Sequence, residues 1–142
     1  PNKINSKVIK STNGVINIHP AILPNYRGCT GLEWSLHNNE PIGLTAHLMN
    51  KKYDAGPIIK TLIIKFKKKD IKNYRDLRIR TYQNTFSLAK KIFKNISNNK
   101  IKFIQQNEKK VKYYKVIEKE KLKKIKLKIK KNMYVFNKKN LI

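Results

Sequence analysis

The chain has 142 residues, a formal charge of +26 at pH 7 and a pI near 10.3, which is enough for one domain with a buried core and too little for two. Its single cysteine, Cys29, excludes an intrachain disulfide and fits a reducing compartment. No apolar run reaches the roughly 18 residues of a membrane-spanning helix and no signal-peptide pattern opens the chain, so a soluble cytoplasmic protein is expected.

The first residue is Pro1 rather than Met, and the opening residues resemble the interior of a longer protein, so a fragment is expected. The first clear element is "GVINIH", residues 14–19. Val15, Ile16 and Ile18 make it apolar on both faces, as in a strand buried within a mostly parallel sheet. Asn17 and His19 stand at its C-terminal end, on the same side and about 7 Å apart along the strand. That end of an open α/β sheet is where ligands bind.

Pro20, Pro24, Tyr26, Arg27 and Gly28 then make a stiff loop. "CTGLEWSLHNN" predicts a short helix stopping at Asn38–Asn39, with Trp34 packing on the sheet and His37 at the surface. "IGLTAHLM", residues 42–49, is a second strand with Leu44, Ala46 and Leu48 on one face and Thr45, His47 and Met49 on the other. The turn "NKKYDAGP" leads to a third strand at 58–66. From Asn73 to about Ser97 the spacing of Tyr74, Leu77, Thr81, Leu88, Ile92 and Ile96 predicts a helix, and Asn73 with Asp76 has the form of a capping box.

Beyond Asn99 the pattern weakens. "KIKFIQ" and "VKYYKVI" suit short strands, and 118–131 suits a helix with a Glu120–Lys124 pair one turn apart. The last ten residues are too polar to place. Charge is concentrated in this half: residues 61–142 carry 27 basic residues against five acidic ones, net +22, whereas residues 1–60 carry seven against three, net +4. The basic residues are 30 Lys and only four Arg, and Ala occurs four times, the bias that A/T-rich codons produce. The basic half is therefore read as solvated surface, with contact to a polyanion as its alternative.

Asn17, His19 and Asp54 place an amide, an imidazole and a carboxylate at the ends of buried strands or in the following turn. Such a set suits acyl transfer. The amide N–H can donate to a developing oxyanion, the imidazole can carry a proton near neutral pH, and the carboxylate can orient or charge it. Gly56 and Pro57 form a sharp turn that brings backbone groups close to a flat ligand. Arg27 either holds a phosphate or carboxylate of a substrate or fastens its own loop. His47 either approaches the site or is structural, and Cys29 is read as an inert thiol.

"NIHPAILPNYRG" followed by "GLTAHLMNKKYDAGPII" resembles the 10-formyltetrahydrofolate-dependent formyltransferases, whose pattern is an Asn-x-His-Pro-x-x-Leu-Pro-x-Tyr-x-Gly loop and a later Thr-x-His strand ending in Asp-x-Gly-x-Ile. The resemblance covers Gly14 to Lys60 and extends through the helix to Asn95. It implies an α/β fold with a Rossmann-like, mostly parallel sheet, of which residues 1–99 are the C-terminal half and 100–142 a basic tail with short strands and a helix. It implies that Asn17, His19 and Asp54 are catalytic, that Tyr53, Ala55, Gly56 and His47 face the folate, and that Tyr26 and Arg27 face the acceptor. The implied co-substrate is 10-formyltetrahydrofolate, with no metal.

The family's Gly-rich first half and the barrel domain of its methionyl-tRNA members have no counterpart in this chain. The expected partners are thus a small-molecule amine and the missing N-terminal half of the domain. A homodimer stays open and no membrane is involved. A nucleotide-linked amino sugar is the favoured acceptor, ahead of glycinamide ribonucleotide and methionyl-tRNA. Two rival readings stand beside this one. The first is a formyltetrahydrofolate deformylase, whose loop usually has a second His where this chain has Pro20. The second is a truncated, non-catalytic basic module that binds nucleic acid.

Overall fold

A computed structural model describes residues 5–142. A short helix, α1 (Ser6–Lys10), is capped by the Asn5 side chain and precedes β1 (Ile16–His19). The loop after β1 contains a two-residue strand, β2 (Arg27–Gly28), and leads into α2 (Gly31–His37). Then come β3 (Gly43–Leu48), β4 (Ile58–Ile63) and the long helix α3 (Tyr74–Ser97). A second two-residue strand, β5 (Tyr113–Tyr114), and α4 (Lys119–Lys130) complete the named elements.

α3 begins where its sequence says it should. The Asn73 side chain accepts from the Asp76 N–H and the Asp76 carboxylate accepts from the Asn73 N–H, so two of the first-turn donors are satisfied reciprocally. Leu77, Thr81, Leu88 and Ile92 form its buried face. Ile96, which keeps the same spacing, lies exposed with Ile79, Tyr82, Phe86 and Phe93.

The main sheet has the order β1-β3-β4, and both pairings are antiparallel. The α/β class stands, but the expectation of mostly parallel strands does not hold for the two pairs of the main sheet; the short β2–β5 pair is parallel. Burial on both faces is common to central strands of either kind and carries no direction. The nine residues between β3 and β4 are too few for a crossover, and α2 packs beside α4 rather than across the sheet. In the β1–β3 register Asn17 is opposite His47 and His19 is opposite Thr45. The period-two pleat therefore gathers four polar side chains on one face, while Ile18 and its partner Ala46 point to the other.

Leu44, Ala46, Ile64, Phe66, Leu77, Leu88 and Ile92 make the centre of the core. The C-terminal stretch completes it. Ile117, Ile125, Ile129, Tyr134 and Phe136 are all buried there, and Phe136 meets Phe66 edge-on with ring centres 5.0 Å apart. The residues that seemed too polar to place include Asn140, which has no exposed surface. Its side chain accepts from the Ile42 N–H at 2.9 Å and donates to the carbonyls of Ile42 at 2.8 Å and Ile64 at 2.7 Å.

Two local expectations are corrected. On α4 the ion pair is Lys121 with Glu118 at 3.1 Å rather than Glu120 with Lys124, because Lys121 lies back over the Trp34 ring, within reach of the carboxylate of the N-cap residue. Trp34 itself packs on Tyr114 of β5 rather than on the main sheet, with its indole N–H donated to the Lys115 carbonyl at 2.8 Å. Among the described residues no helix is long and apolar enough to cross a membrane.

Candidate active site

The end of β1, the loop through β2, the start of α2 and the turn between β3 and β4 surround a cleft of about 350 Å³. Asn17, His19, Gly28, Cys29, Thr30 and Asp54 are among its lining residues. The structure thus brings together the three residues that the sequence singled out for acyl-transfer chemistry.

His19 is 5% exposed. Its Nε2 lies 2.7 Å from the Tyr26 carbonyl. A carbonyl only accepts, so Nε2 carries the hydrogen and donates it. Nδ1, the nitrogen that gains or loses a proton, faces Asp54 Oδ1 at 3.6 Å. Burial lowers the His19 pKa below its ordinary value of 6.5; the Asp54 charge and the bond to Tyr26 oppose that shift without overcoming it. At neutral pH the imidazole is therefore uncharged, with Nδ1 able to accept a proton.

Asp54 sits at φ +49° in the left-handed region, which a short polar side chain tolerates. Its Oδ2 accepts from the Gly28 N–H at 2.8 Å. Burial alone would raise its pKa, but the adjoining His47, the His19 charge and the Gly28 N–H together hold it below the ordinary carboxylate value. The carboxylate is therefore ionised at neutral pH.

His47 is 1% exposed. Its Nδ1 lies 2.8 Å from the Leu48 carbonyl and must donate to it, which leaves Nε2 to meet Asn17. Asn17 Nδ2 lies 3.2 Å from that Nε2, so one amide hydrogen is committed to His47 and the amide is oriented by it. The second amide hydrogen remains for a ligand. Asp54 Oδ1 is 3.6 Å from His47 Nε2 as well as from His19 Nδ1, and it marks where both rings and the carboxylate converge. Among the described residues no group of three or more His, Cys, Asp or Glu is placed to hold a metal ion.

Several of the residues expected to meet ligands are engaged within the protein. His47, expected to face the folate, is enclosed and spends its ring nitrogens on Leu48 and Asn17. Arg27, expected to face an acceptor, is 1% exposed and gives its guanidinium to Gln106, Glu108 and Tyr113. It fastens its own loop. The Tyr26 ring stacks on Tyr114 at 5.1 Å and lines a separate cavity with Asn38, Glu40, Lys110 and Lys112; its contribution to the site is the backbone carbonyl that holds His19.

In the turn after β3, the carbonyls of Asp54 and Gly56 accept from Gln106, so these two groups are held by the protein itself. Gly56 is required there. A Cβ at this position would lie 1.8 Å from the Leu48 carbonyl oxygen. Tyr53, 39% exposed, and the half-buried Ala55 flank the turn.

Sequence reasoning missed the Gly28 N–H, the Tyr26 carbonyl and Gln106. The first two are backbone groups whose role is invisible in residue identity. Gln106 lies in a polar stretch with no periodicity to place it.

The model of the family described as formyl transferase matches residues 4–89. The bifunctional polymyxin resistance protein ArnA of Wigglesworthia glossinidia brevipalpis is 47% identical over 58 residues, which are 40% of this chain and 9% of that protein. The formyltransferase PseJ from Anoxybacillus kamchatkensis, solved with UDP-4,6-dideoxy-4-formamido-L-AltNAc and tetrahydrofolate, shares the fold at a TM-score of 0.68 and 23% identity. The match covers 80% of this chain and 59% of that one. An N-formyltransferase from Helicobacter canadensis, solved with folinic acid and dTDP-3-aminofucose, matches at a TM-score of 0.61 and 29% identity, over 70% of this chain and 37% of that one. The chain thus spans about a tenth of the first of these proteins and less than two thirds of the others.

Proposed function

This chain belongs to the formyl transferase family, and from that membership we propose that the complete protein transfers a formyl group from 10-formyltetrahydrofolate to the amino group of a nucleotide-linked sugar. The observation that carries the chemistry is the meeting of Asn17, His19 and Asp54 on one cleft, with His19 Nδ1 directed at Asp54 and Asn17 oriented by His47. As the amine attacks the formyl carbon, Asn17 donates its second amide hydrogen to the oxygen that becomes negative. His19 Nδ1 takes the proton from the attacking amine, and Asp54 stabilises the imidazolium that results. The proton is then returned to the departing folate nitrogen as the tetrahedral intermediate collapses.

The choice of acceptor is supported by the Helicobacter canadensis protein, whose structure contains folinic acid and an amino sugar nucleotide. Tyr53 and Ala55 are the residues of the Asp54 turn assigned to the folate. In this reading residues 1–99 supply the second half of the catalytic domain.

The test is a panel of acceptors offered to the complete protein with 10-formyltetrahydrofolate, products being identified by mass spectrometry. A formylated sugar nucleotide is expected, formed faster than formylglycinamide ribonucleotide or formylmethionyl-tRNA. Release of formate at the same rate with and without an amine would overturn the proposal in favour of hydrolysis.

A further inference from the structure

We propose that Gln106 is a positioning residue that holds the Asp54 turn against the β1 end of the cleft, and that residues 104–117 form a strap across the candidate site. The catalytic part of this inference rests on the function proposed above; the positional part does not. The strap lies beyond residues 4–89, where the family match ends.

Gln106 Oε1 accepts from Arg27 Nε at 3.1 Å and from Arg27 Nη2 at 2.9 Å. Its Nε2 donates to the carbonyls of Asp54 at 2.8 Å and Gly56 at 2.7 Å. Both amide hydrogens and both lone pairs are used, so the side chain has a single orientation: oxygen to the guanidinium, nitrogen to the turn. Only an amide of this length meets both demands.

The residue after Arg27 is Gly28, whose N–H holds the other end of the same aspartate at Oδ2. Asp54 is thus gripped twice, through its carboxylate by the β2 backbone and through its carbonyl by a side chain anchored to β2. Asp54 itself is in the left-handed region, and the ring of contacts through Arg27 and Gln106 joins its turn to β2. The 3.6 Å separations from Asp54 Oδ1 to His19 and His47 depend on that ring.

The strap is tied down on either side of Gln106. Ile104 exchanges two backbone hydrogen bonds of 2.8 Å with Ile58 at the start of β4. β5 pairs in parallel with β2, with the Arg27 N–H donated to Lys112 and the Cys29 N–H to Tyr114, each at 2.9 Å. The Ile117 N–H donates to Thr30 Oγ1 at the start of α2. One continuous segment therefore touches the β3–β4 turn, the β2 loop and the α2 N-terminus.

Gln106→Leu removes all four bonds at similar volume. Gln106→Glu keeps an acceptor for Arg27 but turns an oxygen toward two carbonyls, so it separates loss of the turn contact from loss of the side chain. Both are made in the complete protein, with folding checked by circular dichroism. The titratable groups facing His19 are Asp54 and His47. A displaced Asp54 withdraws the charge that supports imidazolium, so the His19 titration followed by nitrogen NMR moves to lower pH in both variants. A shift of the order of 1 Å at the reacting groups costs up to about 10²-fold in rate, so kcat is expected to fall about 10- to 100-fold with KM for the acceptor within about threefold. Folded variants with an unchanged His19 titration and kcat within twofold of wild type would overturn the proposal. If the wild-type protein transfers no formyl group, the functional reading fails, and the His19 titration still decides the role of Gln106.

Discussion

Replacing Asn140 by Ala probes whether the polar C-terminal stretch is part of the fold. The side chain has no exposed surface and makes three hydrogen bonds, one accepted from the Ile42 N–H and two donated to the Ile42 and Ile64 carbonyls. Alanine leaves the buried Ile42 N–H unpaired, at a cost of about 1–3 kcal/mol, and each lost donation to a carbonyl adds about 0.5–1.5 kcal/mol. The sum is roughly 2–6 kcal/mol, with about 4 kcal/mol as the central figure. For a domain of this size that lowers Tm by about 10–15 °C. Asn140→Asp is expected to be worse, since it turns a carboxylate oxygen toward two carbonyls. The assay is thermal unfolding of the complete protein followed by circular dichroism, with urea unfolding to separate stability from cooperativity. A change below about 0.5 kcal/mol in Asn140→Ala would show that residues 132–142 do not brace the β3–β4 end of the sheet, and the description of the core would be wrong there.

Gly56→Ala places a Cβ 1.8 Å from the Leu48 carbonyl oxygen; the turn must move, and transfer is expected to fall about 10²-fold, with unchanged steady-state rates counting against the turn geometry. The acid limb of kcat/KM reports His19, whose pKa lies below 6.5 because of burial, and Asp54→Asn is expected to move that limb to still lower pH, since it removes the charge that raises the value; a shift to higher pH would show that the assignment is wrong. The same depressed pKa means that the unfolded state binds more protons below about pH 6.5, so the stabilisation is complete above 6.5 and is lost as pH falls through the folded value, and urea unfolding of wild type and His19→Gln at several pH values should converge in acid. Exchanging the exposed Lys119, Lys123, Lys124, Lys128, Lys130 and Lys131 for Gln is expected to leave turnover of a small acceptor within about twofold, and a loss that tracks salt concentration would instead make α4 a binding surface.

Much of the fold was legible because the decisive signals are local. The capping box at Asn73 and Asp76 marked the start of α3, and alternation in "IGLTAHLM" marked β3 with both of its faces correctly sorted. Strand direction was not legible, since Val15, Ile16 and Ile18 are apolar on both faces whichever way the neighbouring strand runs. The tail was read as solvated surface because its lysines dominate the composition, while Ile125, Ile129, Tyr134 and Phe136 are single apolar residues whose partners lie far back in the chain. Within the site, Asn17, His19 and Asp54 could be found from residue type and spacing. The roles of His47 and Arg27 could not, because they depend on pairings across 30 and about 80 residues of chain.

The most direct test of the account is the rate of formyl transfer by Asn17→Ala, His19→Ala and Asp54→Ala in the complete protein, measured with 10-formyltetrahydrofolate and a nucleotide-linked amino sugar. The account predicts folded variants in which each substitution lowers kcat, with loss of the Asn17 oxyanion donor costing on the order of 10²–10³. Turnover near the wild-type rate in Asn17→Ala or His19→Ala would contradict it.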